Sequence, residues 1–230
     1  VPNKVSHKCV VVIFLFFSSW LWELSANPTA RLNDQGIIIA LDKNYGERAA
    51  LRGRTWLQIM ASSRALPLED KLNKVNGFFN QLIFIDDIKL WGKENYWATP
   101  LEFIGANGGD CEDFAIAKYF SLLEVGIEDE KMRITMVKSL TLNQYHMVVA
   151  YYPTPGSIPL ILDNIDGEIK PADQRNDLLP VYSFNGKQLW LNKEKGQGIL
   201  AGKSQRLKRW SNLNQRMGVS SMMKPKLSLE

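Results

Sequence analysis

The sequence predicts an α+β fold, a helical N-terminal part packed on an antiparallel sheet. Two observations carry this. Apolar residues recur at helical spacing through the first half of the chain, and alternation replaces that spacing from Arg133 onward. The strands then follow one another through turns rather than alternating with helices, which argues against a doubly wound sheet. The 230 residues are 45% hydrophobic and 23% charged, enough apolar material for a core and too much for global disorder.

The chain opens with Lys4, His7 and Lys8 ahead of an uncharged run, Cys9-Val-Val-Val-Ile-Phe-Leu-Phe-Phe-Ser-Ser-Trp-Leu-Trp22. A basic start before an apolar stretch of this length is the pattern of a secretory leader. The run is shorter than the ~20 residues of a spanning helix. Residues 1–26 are therefore expected to be a signal peptide ending at Ser25-Ala26, with a buried helix or an uncleaved anchor as the competing readings. Residues 27–217 are expected to form one domain, and 218–230 a mobile tail.

A helix is predicted over 46–64, with Ala49, Ala50, Trp56, Leu57 and Met60 inward. Pro67 suits the first turn of the next helix because it lacks a donor that the turn leaves unpaired. That helix runs to about residue 82 on Leu68, Leu72, Val75, Phe79 and Leu82, and Gly77 would permit a close approach. Asp86, Asp87, Trp91 and Gly92 suggest a short extended piece and a turn. Thr99-Pro-Leu-Glu102 is a capping box: the hydroxyl caps a backbone donor and the carboxylate reaches back. A short helix should follow, then a tight glycine-rich approach to a largely buried helix that begins near Cys111 and stops at Gly126.

Strands are predicted over 133–138, 145–152, 160–163 and 179–184. From Gly186 onward ten Lys/Arg face only Glu194 and Glu230. Leu207, Trp210, Leu213 and Met217 mark one face of a terminal helix whose other face is basic. The formal net charge is +4, one unit of it in residues 1–26. That is too weak to argue for a nucleic-acid partner.

Without the leader, one cysteine and one histidine remain, Cys111 and His146. Cys111 lies in Asn107-Gly-Gly-Asp-Cys-Glu-Asp-Phe114, at a predicted helix start, where unpaired backbone donors and the helix dipole favour a thiolate. His146 lies on an alternating strand and could act as its base. Asp163 ends the apolar strand after Pro159 and could orient the imidazole. A buried thiol, an ordinary strand histidine and an Asp-Asn turn are the bland alternative, and the co-occurrence of all three placements favours the triad.

Asp110, Glu112 and Asp113 crowd the thiol and would raise its pKa. A hard cation such as calcium would neutralise them. An N-cap plus two acids in the first helical turn explains the same residues without a metal, and from spacing alone that reading is the simpler. Asp163-Asn-Ile-Asp-Gly167 lacks the twelve-position calcium loop pattern. Zinc is disfavoured, since no second histidine or cysteine pair stands at ligand spacing. A Gly-x-Ser-x-Gly elbow is absent.

Three segments together, Trp97-Ala-Thr-Pro-Leu-Glu-Phe-Ile-Gly-Ala-Asn-Gly-Gly-Asp-Cys-Glu-Asp-Phe-Ala115, Tyr145-His-Met-Val-Val and Leu162-Asp-Asn164, resemble the bacterial transglutaminase-like cysteine proteinases. The resemblance implies a papain-like, transglutaminase-type core. It makes Cys111 the nucleophile, His146 the base and Asp163 the orienter. It implies calcium dependence, with Asp110 and Glu112 at the family's metal positions and Asp113 as a third. It also implies a periplasmic endopeptidase whose substrate is a large surface adhesin, cut near its N-terminus between paired alanines so that biofilm disperses. The regulator would be the periplasmic domain of an inner-membrane cyclic di-GMP receptor, with Trp91 and Trp97 as candidate exposed anchors or, alternatively, core residues. No nucleic acid and no stable membrane insertion after leader cleavage are expected. A transglutaminase or amidase on the same site, and a non-catalytic periplasmic binding module, are the rival readings.

Overall fold

The computed structural model describes residues 34–192 and 198–230. The expected leader lies outside them. No helix among the described residues is long and apolar enough to cross a membrane.

The first half is helical. α1 (Asp34–Tyr45), not anticipated, buries only Leu41. α2 (Glu47–Ser63) starts at Gly46, whose φ of 92° turns the chain. Gly53 on α2 lets the two helices meet, because a Cβ there would stand 2.3 Å from Leu41 Cδ1. α3 (Leu68–Phe79) follows Pro67 and buries Leu72, Val75, Phe78 and Phe79. Leu68 is exposed, and Gly77 faces open space rather than a close neighbour.

A two-residue strand β1 (Ile83–Phe84) and a one-turn helix α4 (Asp87–Leu90) fill the stretch read as extended piece and turn. The capping box forms as expected: Glu102 N–H donates to Thr99 Oγ1 at 3.3 Å and Thr99 N–H to Glu102 Oε2 at 2.7 Å, opening α5 (Pro100–Ala106). β2 (Gly108–Gly109) pairs in parallel with β1 and leads into α6 (Cys111–Glu124).

The second half is a seven-stranded antiparallel sheet in the order β6-β5-β4-β3-β7-β8-β9. Its strands are β3 (Met132–Ser139), β4 (Gln144–Tyr151), β5 (Leu160–Leu162), β6 (Lys170–Pro171), β7 (Leu178–Phe184), β8 (Gln188–Leu191) and β9 (Ile199–Lys203). The chain is thus α+β, with α1 to α6 ahead of the sheet and a last helix after it. α6 packs on β3 and β4. Alternation on β4 sends Met147, Val149 and Tyr151 into the core shared with the helices. Val148 and Ala150 join a smaller cluster with Val137, Ile161 and Leu178. A cavity of about 380 Å³ beside that smaller cluster is lined by neither Cys111, His146 nor Asp163.

The predicted terminal helix is α7 (Lys208–Gln215), with Trp210 and Leu213 buried. Residues 218–230, expected to be a mobile tail, run back over the helical part. Met223 N–H donates to Glu102 Oε1 at 2.8 Å, Lys226 N–H to Leu90 O at 2.7 Å, and Asn107 Nδ2 to Leu229 O at 3.3 Å.

Candidate active site

Each glycine before Cys111 has a steric reason. A Cβ on Gly108 would meet Ile83 O of the paired strand at 2.3 Å, and one on Gly109 would meet Asp113 Oδ2 at 2.2 Å. Ile83 N–H and Ile85 N–H donate to Asn107 O and Gly109 O, both at 3.0 Å, which ties the loop to the β1 segment. Cys111 is the first residue of α6, where a helix offers N–H groups it cannot pair internally. Cys111 as a residue is partly exposed. The Met147 backbone N–H hydrogen-bonds its sulfur, which brings Cys111 to the strand residue next to His146.

His146 and Asp163 are both buried, and His146 Nε2 lies 2.7 Å from Asp163 Oδ1. Burial pushes the Asp163 carboxyl up, but His146, the Ile165 N–H and Arg175 outweigh it and hold it below the usual carboxylate range. An ionised carboxylate only accepts, so the proton is assigned to Nε2 and Nδ1 is left as the basic nitrogen. α3 places the acid: Asn80 Nδ2 donates to Asp163 O and Asn76 Nδ2 to Gly167 O, each at 2.9 Å. Asp166, in the same turn, is taken up by Lys170 at 2.9 Å.

The acids near the thiol fall into two close groups that share Asp110. Ligand oxygens of Asp87, Asp110 and Asp113 lie within 4.8 Å of one another. Asp87 was missed. It precedes Cys111 by a whole helix, and only the β1–β2 pairing brings it here. Asp110 occupies the N-cap position of α6, yet its side chain makes no capping bond. One oxygen of each acid in this trio, Asp87 Oδ1, Asp110 Oδ1 and Asp113 Oδ2, is buried without a hydrogen-bond partner among the described residues. The opposite oxygens of Asp87 and Asp113 accept from Tyr96 N–H at 2.5 Å and Ala98 N–H at 2.7 Å.

Burial and repulsion from neighbouring carboxylates, Glu112 among them, push the Asp87 carboxyl up to about 7 and the Asp110 carboxyl up to about 11, and raise Asp113 well above its ordinary value. Three buried carboxylates with a bare oxygen apiece have the donor chemistry of a hard-cation site. The simpler N-cap reading does not account for them.

Glu112 belongs to the other group. Its Oε2 is 3.2 Å from Cys111 Sγ, and with Asp110 and Cys111 it forms a second close group. The thiolate is disfavoured here: burial raises the Cys111 pKa, Glu112 and Asp110 raise it further, and the Met147 N–H opposes them. Trp91 and Trp97, the candidate surface anchors, are 0% and 5% exposed and belong to the core, and Trp97 stacks on Phe184.

Lys118 is a buried amine on α6, with no hydrogen-bond partner for Nζ among the described residues. Burial lowers its pKa to about 7 against a weaker pull from Asp163. The unfolded chain therefore binds this proton between pH about 7 and 10.5 and the folded chain does not. Stability rises with pH across that window, and the full penalty is present below it. Lys118→Met is expected to raise stability at pH 6 and to flatten the rise relative to the parent protein. Urea unfolding of both proteins at pH 6 and pH 9 measures this, and identical pH slopes would contradict it.

Residues 56–196 match the family model of the bacterial transglutaminase-like cysteine proteinases. The calcium-bound structure of Legionella pneumophila LapG is 43% identical, with 81% of this chain and 100% of that chain covered and a TM-score of 0.70. The EGTA-treated form of the same protein is 43% identical over 81% of this chain and 98% of that one, with a TM-score of 0.72. No curated protein matches.

Proposed function

The chain belongs to the bacterial transglutaminase-like cysteine proteinases, and we propose that it is a calcium-dependent periplasmic endopeptidase that cuts a large surface adhesin near its N-terminus. The observation that carries the proposal is the buried His146–Asp163 pair, with His146 on the strand against which Cys111 rests. His146 Nδ1 takes the thiol proton, and Sγ attacks the scissile carbonyl. The Cys111 backbone N–H, at the start of α6, stabilises the oxyanion. The imidazolium then gives its proton to the leaving amine, and water, deprotonated by the same imidazole, releases the acyl group from sulfur. Asp163 stays ionised and holds the ring.

Asp87, Asp110 and Asp113 would hold the calcium. When bound, the ion supplies positive charge that offsets the carboxylates raising the thiol's pKa. This reading keeps Asp110 and Asp113 as ligands, replaces Glu112 by Asp87 and leaves Glu112 to the thiol.

The adhesin would be released by cleavage between paired alanines, dispersing biofilm. A periplasmic enzyme cannot meet a cytoplasmic nucleotide, so control would arrive through a stoichiometric complex with the periplasmic domain of an inner-membrane cyclic di-GMP receptor. The anchor for that complex is not Trp91 or Trp97.

Incubation with candidate adhesin N-terminal fragments, with calcium and with EGTA, tests the activity by mass spectrometry of the product ends. A single new terminus at a paired-alanine bond, seen only with calcium, is expected. Crosslinked product or released ammonia would instead indicate a transglutaminase or amidase. Failure of Cys111 to react with a thiol-directed electrophile would indicate a non-catalytic module.

A further inference from the structure

We propose that Arg175 is a positioning residue for the reaction: it clamps the Asp163 carboxylate and thereby fixes the orientation of the His146 imidazole. This rests on the reading of His146 and Asp163 as base and orienter.

The two oxygens of Asp163 have separate duties. Oδ1 accepts from His146 Nε2 at 2.7 Å and from Ile165 N–H at 3.0 Å. Oδ2 accepts from Arg175 Nη2 at 2.8 Å. The carboxylate cannot turn about its Cβ–Cγ bond without losing one of these partners. Without the clamp, only the Oδ1 bonds would resist that rotation.

Arg175 is built to hold its place. Its side chain is 4% exposed, and the chain there is a tight turn in which Arg175 N–H donates to Ala172 O at 3.2 Å. Asp177 takes Nε at 2.9 Å and Nη2 at 2.8 Å, so Nη2 serves both carboxylates. Asp166 stands 4.0 Å away. A guanidinium is the side chain suited to this, because its planar donors serve two carboxylates at once in fixed directions.

The clamp also has an electrostatic consequence. An ionised carboxylate shared by no other cation would hold the imidazolium of the intermediate tightly and slow its proton donation to the leaving amine. Sharing its charge with Arg175 tempers that hold while keeping the geometry. Lys118 faces the same carboxylate from α6 and acts in the same sense when protonated. Asp166 and Asp177 also face the guanidinium and limit how much positive charge Asp163 experiences.

The experiment compares Arg175→Gln, Arg175→Lys and Asp177→Asn with the parent protein and with Asp163→Asn, all as full chains in calcium buffer. Three quantities are read: kcat and KM on a fluorogenic peptide spanning a paired-alanine bond, the far-downfield proton resonance of the His146 Nε2–H, and the melting temperature. Arg175→Gln is expected to lower kcat about 10–100-fold, the loss typical when a partner that orients an active group is removed. KM should stay within about twofold, because the lost interaction does not touch substrate. The resonance should shift upfield or vanish. Arg175→Lys, which keeps a charge and one donor, should recover most of kcat and of the resonance. Asp177→Asn should move both readouts in the same direction by less.

A purely structural arginine would lower the melting temperature and leave kcat and the resonance of the folded fraction unchanged, and that result would overturn the proposal. If Arg175→Gln does not fold, kcat and resonance left unchanged in Asp177→Asn would overturn it equally. Since the resonance needs no substrate, a poorly chosen peptide leaves the test decisive. Full activity in Asp163→Asn would mark a different failure, that of the triad reading itself.

Discussion

Cys111→Ala is expected to remove peptide-bond cleavage entirely while the protein folds with its stability changed by no more than about 1 kcal/mol. The stability half follows from the site: the residue is small and partly exposed, and its thiol sits among carboxylates that oppose its ionisation, so its loss leaves no large cavity and no stranded buried charge. The activity half follows from the nucleophile being the one described cysteine. His146→Ala is expected to fall to the same floor, because residues that act as one unit give non-additive losses and the double variant should be no worse than either single one. Asp163→Asn tests the finer point. An amide keeps the shape but can present its NH2 to the ring and select the wrong tautomer, which costs up to ~10⁴ in kcat in serine triads. Asn at this position would also face the Arg175 guanidinium with less charge to hold it. Circular dichroism and the rate on one peptide, measured for all four variants, check the set. A folded Cys111→Ala protein with residual cleavage would remove Cys111 from the mechanism.

What the sequence made legible was local. The capping box at Thr99 and Glu102 is a four-residue pattern whose hydrogen bonds close within the pattern itself, and it forms as read. Cys111 at a helix start, His146 on an alternating strand and Asp163 after a short apolar strand were placed by periodicity, and the structure keeps these positions. The acids show the limit. Spacing picks out Asp110, Glu112 and Asp113 beside Cys111; Asp110 closes on Glu112 in one group and on Asp113 in the other. Asp87 joins them through the pairing of two two-residue strands, which no window of sequence displays. Arg175 hid in the same way, a single cation in a turn whose partner Asp163 lies twelve residues back. β9 was missed because Ile199 and Leu200 are exposed on an edge strand and Gly202 interrupts the pattern. α1 buries one side chain and so left little periodic signal.

Calcium is expected to raise the melting temperature of the parent protein and to lose that effect in Asp87→Asn. A ligand at a hundred times its Kd adds about 2.7 kcal/mol. For a domain of this size that corresponds to roughly 5–10 °C. Magnesium should give less, because it demands a smaller octahedral shell and sheds water reluctantly.

The calcium-free protein should also show a pH signature. The Asp87 carboxyl rises from 3.8 to about 7 and the Asp110 carboxyl from 3.8 to about 11 on folding. The folded state therefore binds more protons than the unfolded state above pH about 4. The contribution of these groups is complete below that pH and is lost as pH rises through 7 and onward to 11. In EDTA, stability should thus decline from pH 5 to pH 8. With saturating calcium the decline should shrink, since the bound cluster is ionised throughout and affinity itself grows with pH.

Asp87→Asn removes one of the repelling charges, so in EDTA the variant should be more stable than the parent at pH 8. Glu112→Gln should keep most of the calcium-induced shift, because Glu112 belongs to the thiol's group and not to the trio of orphaned oxygens. Thermal melts of the three proteins at pH 5 and pH 8, with calcium and with EDTA, decide the ligand set. An undiminished calcium shift in Asp87→Asn together with its loss in Glu112→Gln would return the metal to the acids that flank Cys111.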